Sequence, residues 1–345
     1  MGHLSGCRAS RARMYVRRSM TTPPDLAPDF ALERPLPRTP FGNAWAARAV
    51  DGRAVTVVVL APELVGLVGD RARLVAGSPG GATLLEPLRV IDAPDGRLAV
   101  VLPREDRTPA SVRLALGRTF ATADVADAAR ALGAAMHAAH ADGTRHGALA
   151  PGMLYLGDGK PARAIGHGWI EAFVAAGADR GAVLLSVGAR TFAAPELAHD
   201  GVSPTAASDV HALGATLYAC LTGRPPFGGR TTAMIMANVL ADEGLTGEMP
   251  AYRRDAGAAP AVTTERLTQV LLRAVERAPD DRWPTAAGFV AALDGRVATP
   301  SPTLTQPRST PARMRMAVRA ATRSALGAFL QGRFLARLLS RHELR

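Results

Sequence analysis

Side chains suited to catalysis or metal binding are sparse in this sequence of 345 residues. It contains a single lysine, Lys160, and therefore one side-chain amine that could neutralise a phosphate group. Two cysteines, Cys7 and Cys220, are too few and too far apart to indicate a disulfide framework or a metal site, and they favour a reducing compartment. His137 and His140 fall in a segment with helical spacing of apolar residues, so we interpret them as exposed or packed histidines rather than metal ligands.

The segment 145–156, R-H-G-A-L-A-P-G-M-L-Y-L, sets a histidine and a proline before an apolar strand. It resembles the catalytic loop of protein kinases, in which H-R-D-L-K-P-x-N precedes an apolar strand. His146, Leu149 and Pro151 match the letters that frame this motif. The scaffold of the loop is therefore present.

The residues that perform phosphoryl transfer in that motif are missing. The resemblance puts the Asp that takes the substrate hydroxyl proton at Ala148, the assisting Lys at Ala150 and the metal-binding Asn at Met153. An alanine cannot accept a proton, and a thioether is a poor ligand for Mg²⁺, which prefers hard oxygen atoms. The loop is predicted to keep its shape without its chemistry.

Four further positions also depart from the kinase pattern. G-H-G stands where the family has D-F-G, so that Gly166 replaces the metal-holding Asp and His167 replaces the packed Phe. Val58 stands where the third strand carries the phosphate-pairing Lys. Ala189 stands where the activation segment carries a Thr. No lysine or carboxylate close by in the sequence can replace these groups.

Motifs that have a structural role in the large lobe of kinases are present further along the chain. A-P-E occurs at 194–196 and A-P-D-D-R-W-P-T at 278–285, and between them lies the helix motif S-D-V-H-A-L-G-A-T-L-Y, which is very similar to that of bacterial serine/threonine protein kinases. The resemblance implies that Asp209 caps the backbone of the catalytic loop and that Glu196 pairs with Arg282. The structural positions carried over from the family are His146, Pro151, Pro195, Glu196, Asp209, Gly214 and Arg282.

Ahead of the catalytic loop, apolar runs predict strands. F-G-N-A-W-A-A-R at 41–48 and R-A-V-T-V-V-V-L at 53–60 flank Asp51-Gly52, a strong hairpin signal. This region resembles the first three strands of a kinase small lobe. Gly42 is the only glycine left of its phosphate-covering loop.

Two features of the small lobe bear on nucleotide binding. Residues 62–77 are predicted as the helix that normally presents a Glu to the third-strand Lys, and that Glu position falls near Gly69 or Asp70. Pro103 falls near the hinge, where the family grips adenine with backbone N–H and C=O groups. Because proline has no N–H, it weakens this grip.

We predict an α+β, two-lobed protein-kinase-like fold, with a small β-rich N-lobe and a large, mainly α-helical C-lobe. The predicted organisation is, in order, a basic, disordered N-terminal segment at 1–35, a kinase-like domain at 36–295 with its N-lobe at 36–103 and its C-lobe at 104–295, a Pro/Thr-rich linker at 296–312 and a basic helical tail at 313–345.

The net charge of +11 belongs to the two ends of the chain. Residues 1–19 carry five arginines and no acid, and residues 308–345 carry nine arginines and one acid, Glu343. The middle is close to neutral, so the folded body is not expected to bind nucleic acid. Arginines interrupt the apolar row of the tail at 313–345, which leaves an anionic membrane surface and an acidic protein as equal alternatives for its partner. No apolar run is long enough to span a bilayer. We expect a cytoplasmic protein, with or without peripheral membrane contact.

The retained framework and the missing chemical groups together predict a pseudokinase, a non-catalytic signalling scaffold or regulatory module that binds other proteins. We expect no metal and no cofactor at the degenerate positions, with metal-free ATP binding as a lesser alternative. The alternative from the enzyme class is an atypical serine/threonine protein kinase or nucleotide-binding regulator with weak residual activity.

Overall fold

The computed structural model describes residues 26, 28–65, 81–93, 96–198, 201–227 and 262–298. The chain divides into two compact units, 1–226 with 245–302 and 227–244 with 303–345, and only Phe227 of the second unit is described. The predicted linker beyond residue 298, the basic tail and the Gly69 and Asp70 positions lie outside the described residues. Among the helices of the described part, none is both long enough and apolar enough to cross a bilayer.

The small lobe is one antiparallel sheet of five strands. In chain order these are β1 (Phe30–Thr39), β2 (Gly42–Ala49), β3 (Ala54–Leu60), β4 (Arg89–Asp92) and β5 (Leu98–Pro103), and their spatial order is β1-β2-β3-β5-β4. A short helix, α1 (Pro62–Val65), follows β3. The turn between β2 and β3 contains Asp51-Gly52, as the hairpin signal predicts, and an Asp51 oxygen accepts a 3.0 Å hydrogen bond from the Arg53 N–H.

Strand β3 is buried on both faces because each face has its own apolar partners. Val55, Val57 and Val59 pack with Phe30 and Trp45 in a cluster confined to the small lobe. The alternate residues of the strand point the other way, into a cluster that continues into the large lobe. Position 58 therefore faces the junction between the lobes.

The sheet begins earlier than the sequence predicts. Residues 30–35 were assigned to a disordered N-terminal segment, but they form the first part of β1, with Phe30 opposite Ala49 and Pro35 opposite Trp45. Two prolines, Pro35 and Pro37, concealed the strand. They are compatible with it because β1 lies at the edge of the sheet, where a missing N–H costs little.

The large lobe is mainly helical. Its described elements are α2 (Ala110–Ala115), α3 (Thr122–Ala141), the hairpin β6 (Leu154–Tyr155) and β7 (Arg163–Ala164), α4 (Trp169–Ala175), α5 (Arg180–Ser186), α6 (Ala206–Thr222), α7 (Thr264–Ala274) and α8 (Ala286–Leu293). Helix α6 lies at the centre and is buried along almost its whole length. It approaches α7 closely at Gly214, where an added Cβ would lie 2.6 Å from the Cβ of Ala274.

The two-lobed α+β prediction is confirmed: a β-rich small lobe ending at Pro103 precedes a helical large lobe. Helix α3 begins without a side-chain cap, because its N-cap residue is Ala121. The hydroxyl of the next residue, Thr122, lies 3.3 Å from that of Thr264 at the start of α7.

The assignment of residues 30–35 to the sheet predicts a specific stability loss. Replacing the buried Phe30 by Ala removes a ring from the cluster with Trp45, and we expect the free energy of unfolding to fall by about 3 kcal/mol. Replacing the exposed neighbour Ala31 by Ser should change it by less than about 0.5 kcal/mol. Urea unfolding of the two variants measures both values. Equal stabilities would argue against the strand.

Candidate functional site

The catalytic-loop segment is held to α6 by one buried carboxylate. Asp209, in the first turn of α6, accepts hydrogen bonds from the backbone N–H of His146 over 2.8 Å and of Gly147 over 3.0 Å. Its Oδ2 atom also lies 2.8 Å from Nε2 of His140. Burial alone would raise the pKa of Asp209, but the hydrogen bond with His140 and the proximity of His146 hold that pKa below its usual range. The loop-capping contact expected of Asp209 is therefore present.

His140 is a structural residue that the sequence analysis missed. Its ring is nearly buried against Asp209, whereas His137 on the same helix is exposed. The two partners are 69 residues apart in sequence, so no local pattern marks their contact. Only the general interpretation of His140 as a packed histidine pointed in this direction.

A second ionic contact ties the turn Pro195–Ala198 to the segment before α8. The guanidinium of Arg282 binds both oxygens of Glu196, each over 2.8 Å. Its remaining donors bond to the carbonyl oxygens of Glu276, Ala207 and Arg277 at 2.7–3.2 Å. Every guanidinium nitrogen is thus satisfied, which a buried Arg requires. The expected pairing of Glu196 with Arg282 is present.

The other framework positions also lie in the core. Pro151 and Pro195 each begin a short 3₁₀ turn and are buried. His146 is fully buried, and burial lowers its pKa, opposed by the nearby Asp209 carboxylate. These positions are therefore part of the packed interior of the large lobe.

The six degenerate positions are apolar and tightly surrounded. The five that carry a side chain are less than 3% exposed. They are Val58, Ala148, Ala150, Met153 and Ala189. At the sixth, Gly166, an added Cβ would lie 2.5 Å from ring atoms of Phe41 and 3.8 Å from the sulfur of Met153. The structure thus brings Gly166 and Met153 together, and it fills the space beside them with an aromatic ring.

These surroundings do not fit a magnesium nucleotide, the group that the family implies. Magnesium needs oxygen ligands, whereas Met153 offers a thioether and Gly166 offers no side chain. The volume that a carboxylate at position 166 would occupy is taken by Phe41. Within the described residues, no group of three or more His, Cys, Asp or Glu side chains is arranged to hold a metal ion.

The segment after Gly166 covers the catalytic loop with two short helices. In α4, Trp169, Ile170 and Phe173 are fully buried. Glu171 of α4 forms an ion pair with Arg180 of α5, whose Nη2–Oε2 distance is 3.0 Å. An oxygen of Glu171 would lie 3.2 Å from a Cβ at position 147, so this carboxylate sits against the loop. A carboxylate beside the loop was not expected from the sequence, because Glu171 belongs to a later segment of the chain.

His167 does not simply replace an aromatic ring. Its Nε2 atom lies 3.1 Å from the hydroxyl of Thr144, and its ring stands edge-on to that of His146, with centroids 5.7 Å apart. Burial, together with the neighbouring His146, lowers the pKa of His167 to about 3. The folded protein therefore holds this ring neutral at every pH near neutrality.

The two hydrogen bonds between Arg282 and Glu196 predict that removing the Arg282 side chain lowers the stability strongly. Replacing Arg282 by Met leaves the Glu196 carboxylate and three carbonyl groups without their donor, and we expect a loss of about 3 kcal/mol. Arg296→Met serves as the matched control, because Arg296 pairs with Asp294 at the surface and its removal should cost less than about 0.5 kcal/mol. Chemical denaturation measures the difference. Similar losses in both variants would contradict the assigned role.

The neutral histidines predict a sensitivity to mild acid. A folded-state pKa near 3 for His167 and an unfolded value of 6.5 mean that, between these pH values, the unfolded chain binds the extra proton. The free energy of unfolding is therefore highest above pH 6.5. As the pH falls from 6.5, it decreases by about 1.4 kcal/mol per pH unit for each such group. His167→Phe should reduce the slope of unfolding free energy between pH 6.5 and 5 by about that amount.

The control for this measurement is His137→Gln, which replaces an exposed histidine and should leave the slope unchanged. His211, whose pKa burial and Arg282 lower to about 3, should continue to contribute in both variants. An unchanged slope in His167→Phe would show that the ring is not held neutral in the folded state.

Comparison with known proteins finds bacterial serine/threonine protein kinases. No family model matches the sequence. The chain is 31% identical over 170 residues to the serine/threonine-protein kinase PknB of Mycolicibacterium smegmatis, a match covering 49% of this chain and 25% of PknB. It is 34% identical over 157 residues to the serine/threonine-protein kinase PknK of Mycobacterium tuberculosis, covering 45% of this chain and 13% of PknK.

A longer match extends over both lobes. The chain is 29% identical over 298 residues to the serine/threonine-protein kinase PkaA of Streptomyces coelicolor, covering 76% of this chain and 49% of PkaA. The chain thus spans about half or less of the length of these curated relatives. The two-lobed fold, the loop held by Asp209, the Glu196–Arg282 pair and these matches agree with one another: the chain is similar to bacterial Hanks-type serine/threonine protein kinases.

Proposed function

We propose that this chain is a pseudokinase, a kinase-like body that acts as a non-catalytic signalling scaffold or regulatory protein-binding module. The observation that carries the proposal is the environment of Gly166 and Met153. Where the family holds metal ligands, these two positions supply no hard oxygen, and the ring of Phe41 fills the space between the lobes.

Phosphoryl transfer asks a protein mainly for positioning and for neutralisation of charge. Val58, Ala148 and Gly166 can neither bind phosphate, nor orient a hydroxyl, nor hold a metal ion. Several losses in separate loops, all in buried apolar surroundings, leave no single neighbour that would compensate for them. This supports a body without transfer activity.

The framework contacts support a folded module with a defined surface. Asp209 and Arg282 bind several groups each, and they hold the loop and the segment before α8 in place. Neither contact touches the place of a reacting group. A fold that retains these contacts without its chemistry is suited to presenting a surface to protein partners. The basic tail at 313–345, with an acidic protein or an anionic membrane surface as its partner, remains part of this proposal.

One observation favours a second candidate, the atypical kinase. Glu171 is a carboxylate against the backbone of Gly147, next to the position of the missing catalytic Asp at Ala148. Such a carboxylate would be the base of an unconventional transfer reaction. Its ion pair with Arg180 weighs against this role, because it engages both carboxylate oxygens.

A transfer assay tests the proposal directly. The full chain is incubated with labelled ATP, Mg²⁺ or Mn²⁺ and generic serine/threonine substrates, alongside an active kinase as positive control and the Ala148→Asp variant. We expect no incorporation above the level without protein, and none above the Ala148→Asp variant. Robust turnover would overturn the proposal. Turnover that disappears in Glu171→Gln would establish the atypical kinase instead.

A further inference from the structure

The backbone that follows β5 forms its hydrogen bonds with other groups of the protein. The N–H of Glu105 donates to Oγ1 of Thr56 over 2.9 Å, and the Thr56 hydroxyl lies 3.2 Å from the carbonyl oxygen of Glu105, to which it donates. Thr56 lies on β3 and is buried. One hydroxyl therefore satisfies both the donor and the acceptor of this residue, as its bonding capacity allows. A ligand base would have to displace Thr56 to use them.

The side chain of Glu105 fixes the same stretch to the large lobe. Its carboxylate binds Arg107 over 2.8 and 2.9 Å, and both side chains are nearly fully buried. Arg107 also donates to the carbonyl oxygen of Pro161, in the β6–β7 connection, over 3.0 Å. The connection between the lobes is thus held by internal bonds on two sides.

At the other end of the junction, the tip of the small lobe is a tight turn that carries Phe41. The Thr39 hydroxyl donates to the Gly42 carbonyl oxygen over 3.1 Å and accepts from the Gly42 N–H over 3.2 Å. The Phe41 carbonyl oxygen accepts from the Ala61 N–H over 2.8 Å. The Phe41 ring is fully buried and lies 4.5 Å from that of Trp169, between centroids.

The large lobe is shaped to receive this turn. At two contact points it carries glycines, and a Cβ at either would overlap the turn. The Cβ of a residue at position 166 would lie 2.5 Å from the Phe41 ring, and at position 152 it would lie 2.6 Å from Pro40. Two glycines opposite two ring-bearing side chains make a complementary contact, since real Cβ atoms do not approach so closely.

We propose that Phe41 and Thr56 occupy the junction as built-in replacements for a nucleotide, so that the two lobes stay closed and the chain binds no adenine nucleotide, with or without a metal ion. Thr56 takes the hydrogen bonds at the hinge, and Phe41 takes the volume beside Gly166 and Met153. This inference rests on the proposed function and deepens it: the scaffold has a fixed shape that no nucleotide controls.

The first test titrates the unmodified full chain with ATP and ADP, with and without Mg²⁺, by calorimetry and thermal unfolding. A ligand that binds the folded state must raise the melting temperature. We expect a shift below about 1 °C at a nucleotide concentration of about 1 mM. A dissociation constant below that concentration would overturn the inference. It would leave the proposed function standing, because a protein can bind ATP without transferring phosphate.

The second test is a double-mutant cycle between the two lobes. Gly166→Asp should lower the melting temperature, because the side chain meets the Phe41 ring, and in a Phe41→Ala background at least half of that decrease should disappear. Backbone strain at position 166 is the same in both backgrounds and cancels. Phe30→Ala is the matched control, because Phe30 packs in the other cluster and its effect should simply add. Additive losses for the Phe41 pair would overturn the inference.

A small apolar probe tests the volume itself. Phe41→Ala should leave a dry cavity beside Trp169 and Met153, which benzene fills and thereby raises the melting temperature of the variant. The unmodified protein, whose cavity Phe41 occupies, should show no such increase. Equal responses of the two proteins to benzene would count against Phe41 as the group that fills the junction.

Discussion

A single buried carboxylate, Asp209, holds the catalytic-loop segment at the centre of the large lobe. Moving a carboxylate out of water is costly unless hydrogen bonds replace its hydration shell. Here the N–H groups of His146 and Gly147 and the ring of His140 supply these bonds. The first turn of α6 adds the favourable end of the helix dipole. The path of the loop through to Met153 depends on this contact.

Two other buried ionic contacts of the described interior also have complete sets of partners. Arg282 has a partner for every nitrogen, and Glu105 and Arg107 satisfy each other. A buried group that loses its partner costs about 1–3 kcal/mol, whereas losing both members can be nearly neutral. Apolar residues at Val58 and Met153 are therefore easier to accommodate together than either would be beside a surviving charge.

The architecture of the large lobe could be predicted from the sequence because its key contacts are made by residues of recognisable motifs. The motifs around Glu196, Asp209 and Arg282 identified residues that the structure brings together, although the partners are distant in the chain. The same applied to the Asp51-Gly52 turn, whose signal is local. The start of the sheet was misplaced because Pro35 and Pro37 imitate a linker.

The sequence did not reveal the role of residues that lie outside any motif and whose contacts are with partners far away in the chain. His140 gains its role only from Asp209, and Glu171 approaches the loop only because α4 folds over it. Phe41 appeared in the sequence merely as the residue before a remaining glycine. That its ring reaches Trp169 follows from how the two lobes pack, which no local pattern encodes.

In the proposed pseudokinase, loss of catalytic groups and closure of the junction are separate physical events. Replacing a lysine and carboxylates by small or apolar residues would by itself leave an open cleft between two lobes. In this chain the cleft is filled by groups that are covalently part of the protein, so their effective concentration is fixed and does not depend on a cellular ligand. Closure by a bound nucleotide would be reversible and would respond to nucleotide supply. Closure by Phe41 and Thr56 instead makes the relation between the lobes a property of the fold, which suits a constant binding surface better than a ligand-gated switch.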